Sequence, residues 1–454
     1  MSSAALLDQS RSTTRRKQGG ARPRVLLIAE AANPTLTSAA LVSWYFARAL
    51  AQVSDAHVVT EERNREHFIA AGLREGVDFT AINARRYQGM AWKVASFLRG
   101  GQDSGWTTYS AMAILAYPFF EKALWRQFKP RLLAGEFDLV HRISPLSPMA
   151  PSWISSKLAR HRIPFIVGPL NGGVPWPKPF AHLQAREKEW AGKLRGLAKW
   201  LPGARATRGK SAALIAASRT TWREIGAKHH AKTFFIPENA IDLARFPMDP
   251  KPAAQLPLRV AFVGRLVPLK GVDMLIEAAA PLLKSGQLQL DLVGDGPERI
   301  NLTELAAQLG VAEQVRLDGW VPHAQLADRL RTAHVFAFPS VREFGGGAVI
   351  EAMALGLVPV VLDHGGPVEL VPPNTGYVIP MMERAAIVER MRTLFASLIA
   401  DPSPLNSMSA QAQAHIRQYY TWEAKAAQML EVYEWVLGRR EEKPGWGMPF
   451  GFAA

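Results

Sequence analysis

The chain has 454 residues, of which 48% are hydrophobic and 20% charged, and its formal net charge is +15. These values are typical of a soluble globular protein, and the length predicts about two or three domains rather than one core. The chain contains no cysteine, which excludes disulfides, thiolate catalysis and cysteine-ligated zinc and fits a reducing compartment.

Residues 1–23 are a basic tail without the apolar run of a signal peptide, and we expect this tail to be disordered. No segment of the sequence reaches the roughly 18 apolar residues of a membrane-spanning helix. We therefore expect a cytoplasmic protein.

The positive charge lies mainly in this tail and in two further segments, residues 85–131 and 178–210. Aromatic residues are interleaved with the basic ones: Trp92, Phe97, Trp106, Trp125, Phe128, Trp190 and Trp200. Such a surface suits anionic lipid, because aromatic side chains enter the headgroup boundary while lysine and arginine meet phosphate. Peripheral binding to the cytoplasmic face of the inner membrane is one interpretation, and solvated helix faces with core aromatics are the other.

The first half of the chain, residues 24–244, alternates short apolar runs with helical patterns. Strands are predicted at residues 24–30, 57–60, 137–141, 164–168, 212–217 and 233–236, and a helix at residues 37–52. Thr37 or Ser38 is the expected cap of that helix. Strands that alternate with helices indicate a mostly parallel sheet.

Residues 245–257 hold four prolines and no apolar period, which predicts a linker. A second α/β series occupies residues 258–404. Its strands are predicted at 258–263, 288–293, 315–317, 335–338 and 358–362, and its helices at 272–283, 298–309, 325–331 and 348–355. Helices at 405–440 are expected to cross back to the first lobe, before a tail at 441–454. Two such lobes leave a ligand-binding cleft between the carboxyl ends of their strands.

The strongest candidate for chemistry is PSVREFGGGAVIEAMALG, residues 339–356. Its three glycines follow a predicted strand and lead into a helix, so backbone N–H groups and a helix N-terminus can meet an anion. Glu343 precedes the glycines and can accept hydrogen bonds from sugar hydroxyls. Glu351, about one turn into the helix, can reach a ribose diol. Alternatively, both carboxylates are solvated charges and the glycines form an ordinary turn.

Two other junctions between a strand and a glycine turn stand out. In VGRLVPLKG, residues 263–271, Arg265 and Lys270 can both reach a diphosphate, since arginine binds phosphate in a bidentate way and lysine supplies a point charge. A basic surface turn explains that segment equally well. LVGDGPE, residues 292–298, is similar to many α/β loops.

In order and spacing, these motifs resemble the second lobe of retaining GT-B glycosyltransferases of family 4 (glycosyltransferase group 1), which includes α-mannosyl- and α-glucosyltransferases of bacterial lipid and polysaccharide synthesis. The E-x7-E motif of that family matches Glu343 and Glu351. The resemblance covers about residues 233–380 and includes IPENAIDLARF, with Asn239 and Asp242, then GGPVELV and TGYVIP. It implies an α/β fold of the GT-B class, with two Rossmann-like doubly wound lobes and an interdomain cleft.

The resemblance also implies a donor site for a nucleotide-diphosphate sugar in the second lobe. Arg265 and Lys270 would hold the diphosphate, Glu343 would contact hydroxyls of the transferred sugar, and Glu351 would bind the ribose. The other implied donor-binding residues are Gly264, Gly294, Val321, Phe344, Gly345 and Gly346.

In the first lobe, His141 ends a predicted strand in FDLVHRISP, where the family often has an active-site histidine near the donor sugar. By the strand-end rule that position faces the cleft. A histidine that is simply hydrogen-bonded in a loop is the alternative.

The acceptor side resembles the family less closely. GPLNGGVPWP, residues 168–177, is similar to the loop after the following strand, which would bring Asn171, Gly172 and Gly173 near the acceptor. The family usually has two glycines after its first strand, whereas this chain has EAANPTLTSAALVSW. Asn33, with Thr35 or Ser38, is the expected substitute.

The predicted function is transfer of a sugar from a nucleotide-diphosphate sugar to a lipid-linked, polysaccharide or other glycan acceptor, and the family resemblance implies that this sugar is a hexose. The resemblance implies retention of anomeric configuration. The chain has no Asp-x-Asp pair, the usual metal–diphosphate clamp of the other glycosyltransferase fold, and we expect neither a metal nor another cofactor. Arg265, Lys270 and the glycine amides would stabilise the leaving diphosphate instead.

Several alternatives share these features. A GT-B-like sugar-nucleotide epimerase or phosphorylase would have the same two lobes, and a non-catalytic membrane-associated scaffold would explain the basic surface. The intact Arg265, Lys270, Glu343 and Glu351 argue against the scaffold. A nicotinamide-dependent dehydrogenase would need G-x-G-x-x-G after the first strand, which VLLIAEAANP lacks. The sequence contains no motif for binding nucleic acid, so we do not expect nucleic acid as a partner.

Overall fold

The computed structural model describes residues 21–36, 38–84, 106–186, 203–249, 251 and 253–446, with the backbone alone for 106–116, 185 and 186. Within these residues the chain forms two lobes, each built on a parallel β-sheet. None of the described helices combines the length and the apolar character needed to cross a membrane.

The N lobe contains a seven-stranded sheet in the described part of the chain, with the order β3-β2-β1-β4-β5-β6-β7. Its strands are β1 (Arg24–Ala29), β2 (Asp55–Glu61), β3 (Phe79–Ile82), β4 (Leu139–Ser144), β5 (Phe165–Leu170), β6 (Ala213–Ala216) and β7 (Thr233–Phe235). Its helices are α1 (Ala39–Val53), α2 (Arg65–Ala70), α3 (Trp106–Leu133), α4 (Ile154–Arg160), α5 (Ala181–Arg186), α6 (Ala204–Lys210) and α7 (Arg219–Ile225).

The central strand β1 shows why both faces of this sheet are covered. Its side chains alternate, because successive residues of a strand point to opposite faces. Val25 and Leu27 lie in the core cluster that contains α1, whereas Leu26 and Ile28 lie in the cluster that contains α3. A strand buried on both faces is a continuous apolar run, as RVLLIA is.

The described residues of the C lobe form a six-stranded sheet with the order β10-β9-β8-β11-β12-β13. Its strands are β8 (Leu258–Val263), β9 (Leu288–Val293), β10 (Val315–Gly319), β11 (Val335–Phe338), β12 (Val358–Leu362) and β13 (Tyr377–Ile379). Its helices are α8 (Val272–Lys284), α9 (Arg299–Gln308), α10 (Leu326–Leu330), α11 (Gly347–Ala354), α12 (Gly366–Glu369) and α13 (Arg384–Ala400). The strand order reverses between β8 and β11, so the crevice of this lobe opens beside the loops that follow these two strands.

Two further helices, α14 (Ser403–Tyr419) and α15 (Trp422–Val436), connect the lobes. The first packs against α11 in the C lobe, and the second packs against α1 in the N lobe. Between them, the backbone N–H of Ile241 in the interlobe segment donates to the Tyr420 carbonyl at 2.7 Å. The last two helices therefore hold both lobes at once.

The prediction of two doubly wound parallel lobes is confirmed, with differences in detail. The strand predicted at 137–141 runs from Leu139 to Ser144, so the prediction that His141 ends its strand is wrong. Ser38 precedes α1 without a capping bond from its side chain, and Thr37 lies outside the described residues. The basic tail up to residue 20 and the predicted surface residues Trp92, Phe97, Trp190 and Trp200 also lie outside them.

Candidate functional site

The loops after β8 and β9 meet so closely that only glycine fits. A Cβ added to Gly294 would lie 1.9 Å from the carbonyl oxygen of Gly264, and Gly294 has a φ of 144°. Backbone bonds hold this contact, since Gly264 N–H donates to Val293 and Gly294 N–H donates to Gly319. Two of the predicted donor-binding glycines thus form one surface at the carboxyl edge of the C-lobe sheet.

The glycine-rich loop between β11 and α11 lies at the same edge. Gly346 precedes α11 with a φ of 65°, in the left-handed region that glycine adopts without strain. The first turn of α11 therefore presents N–H groups that have no partner within the helix, and the helix dipole favours an anion there. The Gly366 N–H donates to the Glu343 carbonyl at 3.0 Å and ties this loop to the one before α12.

Lys270 and Glu343 meet in the centre of this edge. The Lys270 ammonium donates to the Glu343 Oε2 atom, although the two residues are 73 positions apart. The same ammonium lies 4.7 Å from the centre of the Phe338 ring. Both side chains are mostly buried, at 15% and 21% exposure, so solvent screens the pair only in part. Arg265, by contrast, is exposed at the end of β8.

Glu351 lies farther along the C-lobe edge, on α11. The Nε2 atom of His323 lies 2.7 Å from its Oε1 atom. Val321, the residue predicted to line the base pocket, is half-buried in the turn that leads to His323. The predicted ribose-binding carboxylate therefore has a specific hydrogen-bond partner next to the predicted base pocket.

Asn171 brings the N lobe into contact with the glycine-rich loop. Its side-chain amide donates to the Glu238 Oε1 atom at 2.5 Å and to the Phe344 carbonyl at 3.4 Å. Its Oδ1 atom accepts from the Gly172 N–H at 2.7 Å and shapes the loop that continues into Gly173. The structure thus places this predicted acceptor-side loop directly opposite the predicted sugar-binding loop.

Asn33 is buried and organises its own loop. Its amide donates to Asn64 at 3.0 Å, and its Oδ1 atom accepts from the Thr35 N–H at 2.9 Å. Glu30, at the end of β1, lies nearby and pairs with Arg63. Burial raises the pKa of Glu30 to about 7, and the Arg63 charge opposes this shift. The sequence pattern did not reveal Glu30, because its environment is assembled from the ends of β1 and β2.

His141 is fully buried between the sheet and α15. One ring nitrogen, Nδ1, lies 2.7 Å from the Tyr433 hydroxyl, and Nε2 lies 2.7 Å from the Gly168 carbonyl oxygen. Burial lowers the pKa of His141 to about 4, so the ring is neutral at pH 7. Because a carbonyl only accepts, Nε2 carries the proton, and Nδ1 accepts from the tyrosine. The structure does not bring His141 next to Glu343, but joins it to the segment that leads to Asn171.

Sequence reasoning missed several residues of the interlobe cleft. The Arg342 Nε–H donates to the Val174 carbonyl at 2.9 Å, and its guanidinium carbon lies 4.9 Å from the centre of the Trp176 ring and 5.1 Å from that of the Phe344 ring. Glu238 is buried and contacts the glycine-rich loop, where a Cβ on Gly345 would lie 2.5 Å from its Oε1 atom. Glu238 lies beside Asn239 in a motif that the sequence did single out, but its long-range contacts leave no sequence pattern.

Burial shifts the pKa of three more charged groups behind this cleft. It raises the pKa of Glu238, and it raises the pKa of Glu369 to about 8, against the effect of the Arg219 N–H bond. It lowers the pKa of Lys425 to about 7, while the charge of Glu238 acts in the opposite direction. The segment after β7, the C lobe and α15 each supply one of these groups.

Residues 249–415 match the family described as glycosyl transferases group 1. The chain is similar to the D-inositol 3-phosphate glycosyltransferase of Segniliparus rotundus, with 35% identity over 43% of this chain and 46% of the relative. It is also similar to the GDP-mannose-dependent α-(1-6)-phosphatidylinositol monomannoside mannosyltransferase of Mycolicibacterium smegmatis, with 32% identity over 45% of this chain and 56% of the relative. The chain spans about half the length of the curated relatives it matches.

Among solved structures, the chain is similar to sucrose-phosphate synthase from Thermosynechococcus elongatus, with a TM-score of 0.61, 18% identity, and coverage of 92% of this chain and 100% of that one. It is also similar to Anabaena HepE in complex with UDP and glucose, with a TM-score of 0.55, 17% identity, and coverage of 91% and 99%. At these identities the likeness concerns the fold. The predicted GT-B architecture is confirmed.

The glycine-rich loop yields a first prediction. A Gly345→Ala substitution places a Cβ 2.2 Å from the Asn239 amide and 2.5 Å from the Glu238 carboxylate, so we expect a loss of about 1–3 kcal/mol in stability. Gly347→Ala is the matched control, because the nearest atom to its Cβ lies 3.9 Å away. Melting temperatures of both variants test this. Equal melting temperatures would show that the loop does not press on Glu238 and Asn239.

The environment of His141 yields a second prediction. Its pKa is about 4 in the folded state and about 6.5 when unfolded, so the unfolded state binds more protons between these values. The stability that neutral His141 contributes is present above about pH 6.5 and decreases as the pH falls towards 4, by up to about 3 kcal/mol. The difference in melting temperature between wild type and His141→Gln should therefore shrink over this range.

The comparison with the variant matters because other groups titrate too. Glu30 and Glu369 have raised pKa values and change stability in the opposite direction, but they are common to both proteins. A difference in melting temperature that stays constant from pH 7 to pH 4 would contradict the buried neutral state of His141.

Proposed function

We propose that this chain is a glycosyltransferase that moves a hexosyl group from a nucleotide-diphosphate sugar to a lipid-linked, polysaccharide or other glycan acceptor, with retention of anomeric configuration. The observation that carries the proposal is the meeting of Lys270, Glu343 and the glycine-rich loop at the crevice of the C lobe. This crevice lies within the segment that matches the group 1 glycosyltransferases. The E-x7-E motif supports the more specific proposal that the chain is a retaining enzyme of family 4.

In the proposed donor site, neighbouring loops contact different parts of the donor. Arg265, Lys270 and the N–H groups near Gly345 would hold the diphosphate, and Glu343 would accept hydrogen bonds from hydroxyls of the sugar. The remaining donor contacts would come from Glu351 at the ribose, and from Gly264, Gly294, Val321, Phe344 and Gly346 around the base and phosphates. Relatives support such a donor, since one is named as GDP-mannose-dependent and HepE was solved with UDP and glucose.

The chemical task is to stabilise charge on the departing diphosphate while the sugar acquires oxocarbenium character. Lys270 is held by the Phe338 ring and Glu343, which fixes its position before the donor arrives. The first-turn N–H groups of α11 add positive potential without reorganisation. We propose that these groups suffice without a metal or another cofactor.

The acceptor is proposed to approach from the N lobe, taken as residues 24–244, towards a donor lobe of residues 258–404. Asn171 contacts the sugar-binding loop at Phe344, Gly172 and Gly173 continue the same N-lobe loop, and Asn33 shapes the β1–α1 loop. His141 would act on catalysis as a positioning residue, because it holds the Gly168 carbonyl at the start of the Asn171 loop.

A basic stripe on α3 supports membrane association on the cytoplasmic side. Phe119, Lys122, Arg126 and Lys129 are exposed and recur at helical spacing, so they share one face. Trp153, at 55% exposure, is connected to the same helix through its backbone bond to Glu121. We propose that this face binds anionic lipid where a lipid-linked acceptor resides, and that nucleic acid is not a partner.

The donor site yields a third prediction, measured as melting temperature with a panel of nucleoside diphosphates and their sugar conjugates. A true donor at 100 times its Kd should add about 2.7 kcal/mol to the stability of the wild type. Glu343→Ala should lose the part of the shift that depends on the sugar, and Lys270→Met should lose the shift from both kinds of ligand. Glu313→Ala, an exposed carboxylate on the C lobe, is the control and should behave as the wild type.

Other outcomes identify the alternatives. Conversion of the sugar nucleotide into an isomeric sugar nucleotide without any acceptor would indicate an epimerase, and conversion that requires inorganic phosphate would indicate a phosphorylase. If no nucleotide stabilises the wild type, the donor site is refuted and a non-catalytic scaffold replaces it.

The α3 face yields a fourth prediction, measured by flotation with vesicles. Wild type should float with vesicles that contain anionic lipid and not with neutral ones. Reversing Lys122, Arg126 and Lys129 to glutamate should reduce binding about a hundredfold or more, because each of the three cations contributes about 1 kcal/mol near the surface and about 1.4 kcal/mol is a factor of ten. The matched control reverses three exposed cations outside the N lobe: Lys284 and Arg390 of the C lobe and Arg417 of α14. Equal recovery with neutral and anionic vesicles would refute membrane binding.

A further inference from the structure

Glu351, the carboxylate proposed to bind the ribose, is the end of a chain of hydrogen-bonded side chains. His323 contacts its Oε1 atom through Nε2 at 2.7 Å. Within the described part of the chain, no hydrogen bond to the other oxygen, Oε2, is found. A carboxylate fixed through one oxygen keeps the second oxygen available for hydroxyl groups.

The other side of the His323 ring determines which nitrogen carries the proton. The Arg245 guanidinium contacts Nδ1 through its Nη2 atom. A guanidinium has donors only, so Nδ1 must accept and Nε2 must carry the proton that is donated to Glu351. Arg245 thus selects the histidine tautomer that orients the carboxylate. At metal sites, a hydrogen-bond partner on the far side of a histidine ring fixes the tautomer of that ring in the same way.

Arg245 also reaches the N lobe. Its Nη1 atom donates to the Tyr45 hydroxyl on α1 at 3.3 Å. The Tyr45 ring stacks on Trp422 at the start of α15, with 5.5 Å between centroids. Phe246, which follows Arg245 in the linker, packs edge-on against His323 at 5.2 Å. One connected series of contacts therefore runs from α1 through the linker to Glu351.

We infer that His323 is a positioning residue for Glu351, and that recognition of the donor ribose depends through Arg245 on the linker and the N lobe. This inference rests on the proposed function, which assigns the ribose to Glu351. The consequence is that the C lobe binds a ribonucleotide with full selectivity only when the linker is docked as it is here.

The energetics make this role separable from a role in stability. The side chain of His323 is 42% exposed, and a hydrogen bond at such a position contributes little to folding because water competes for both partners. Removing the ring should therefore leave the melting temperature nearly unchanged. Its effect should appear in the preference for a ligand that carries the ribose hydroxyls.

The experiment compares a ribonucleotide with its 2′,3′-dideoxy analogue. The ribonucleotide is UDP or GDP, whichever stabilises the wild type more. The measured quantity is the ratio of their dissociation constants. Glu351→Ala should abolish the wild-type preference for the ribonucleotide, and His323→Ala should reduce it about tenfold, the size of effects seen for comparable supporting groups. His323→Gln should restore most of it, since its amide can accept from Arg245 and donate to Glu351.

Variants farther along the series test the link to the N lobe. Arg245→Met should reduce the ratio as His323→Ala does, and Tyr45→Phe should reduce it less, because it removes only the last hydrogen bond. His161→Ala is the control, since this histidine is exposed at the end of α4 and stacks on Trp125. It should keep the wild-type ratio.

The outcomes separate the inference from the proposed function. If Glu351→Ala loses the preference while His323→Ala keeps it, the inference is overturned and the donor site stands. If the wild type binds neither UDP nor GDP, or if Glu351→Ala keeps the preference, the proposed ribose site fails and the inference fails with it.

Discussion

The arrangement of the two lobes depends on charged groups buried where the segment after β7 meets the glycine-rich loop. Glu238 and Lys425 are nearly inaccessible to water. Burying either charge alone costs free energy, and the attraction between the two opposite charges offsets part of that cost. Asn171 satisfies one oxygen of Glu238 and at the same time touches the Phe344 carbonyl. An apolar junction would tolerate many angles between the lobes, whereas these hydrogen bonds are satisfied together in one arrangement. We interpret the buried charges as the feature that specifies the cleft.

Much of the fold could be predicted because the sheet strands are short apolar runs between polar loops. β1 and β8 are buried along nearly their whole length, which makes their sequences distinct. The unpredicted strands β3 and β13 lie at sheet edges and are buried at only some positions, so their sequences show little contrast. The helix α3 contains Pro118 and Pro130, residues that remove a backbone donor and usually argue against a helix.

The residues of the candidate site likewise divide into those that could be predicted from the sequence and those that could not. Lys270, Glu343 and Gly294 follow strand ends, and the rule that ligands bind at the carboxyl edge of a parallel sheet brings such residues together without knowledge of their contacts. His141 follows no such rule. Its environment comes from Tyr433, 292 positions away, and a strand that continues for three residues beyond it. Partners this distant leave no periodic pattern in a single sequence.

The pair of Lys270 and Glu343 has a consequence for the proposed donor. A diphosphate that attracts Lys270 separates it from Glu343, which leaves a mostly buried carboxylate without its cation. An uncompensated buried charge is strongly unfavourable, unless hydroxyl groups take the place of the lysine. A sugar nucleotide brings both the phosphates and the hydroxyls, whereas the nucleoside diphosphate left after transfer brings only the phosphates. If the proposed donor binds here, the same ion pair would favour the intact donor over the product, and its return as the sugar leaves would promote release of the nucleotide.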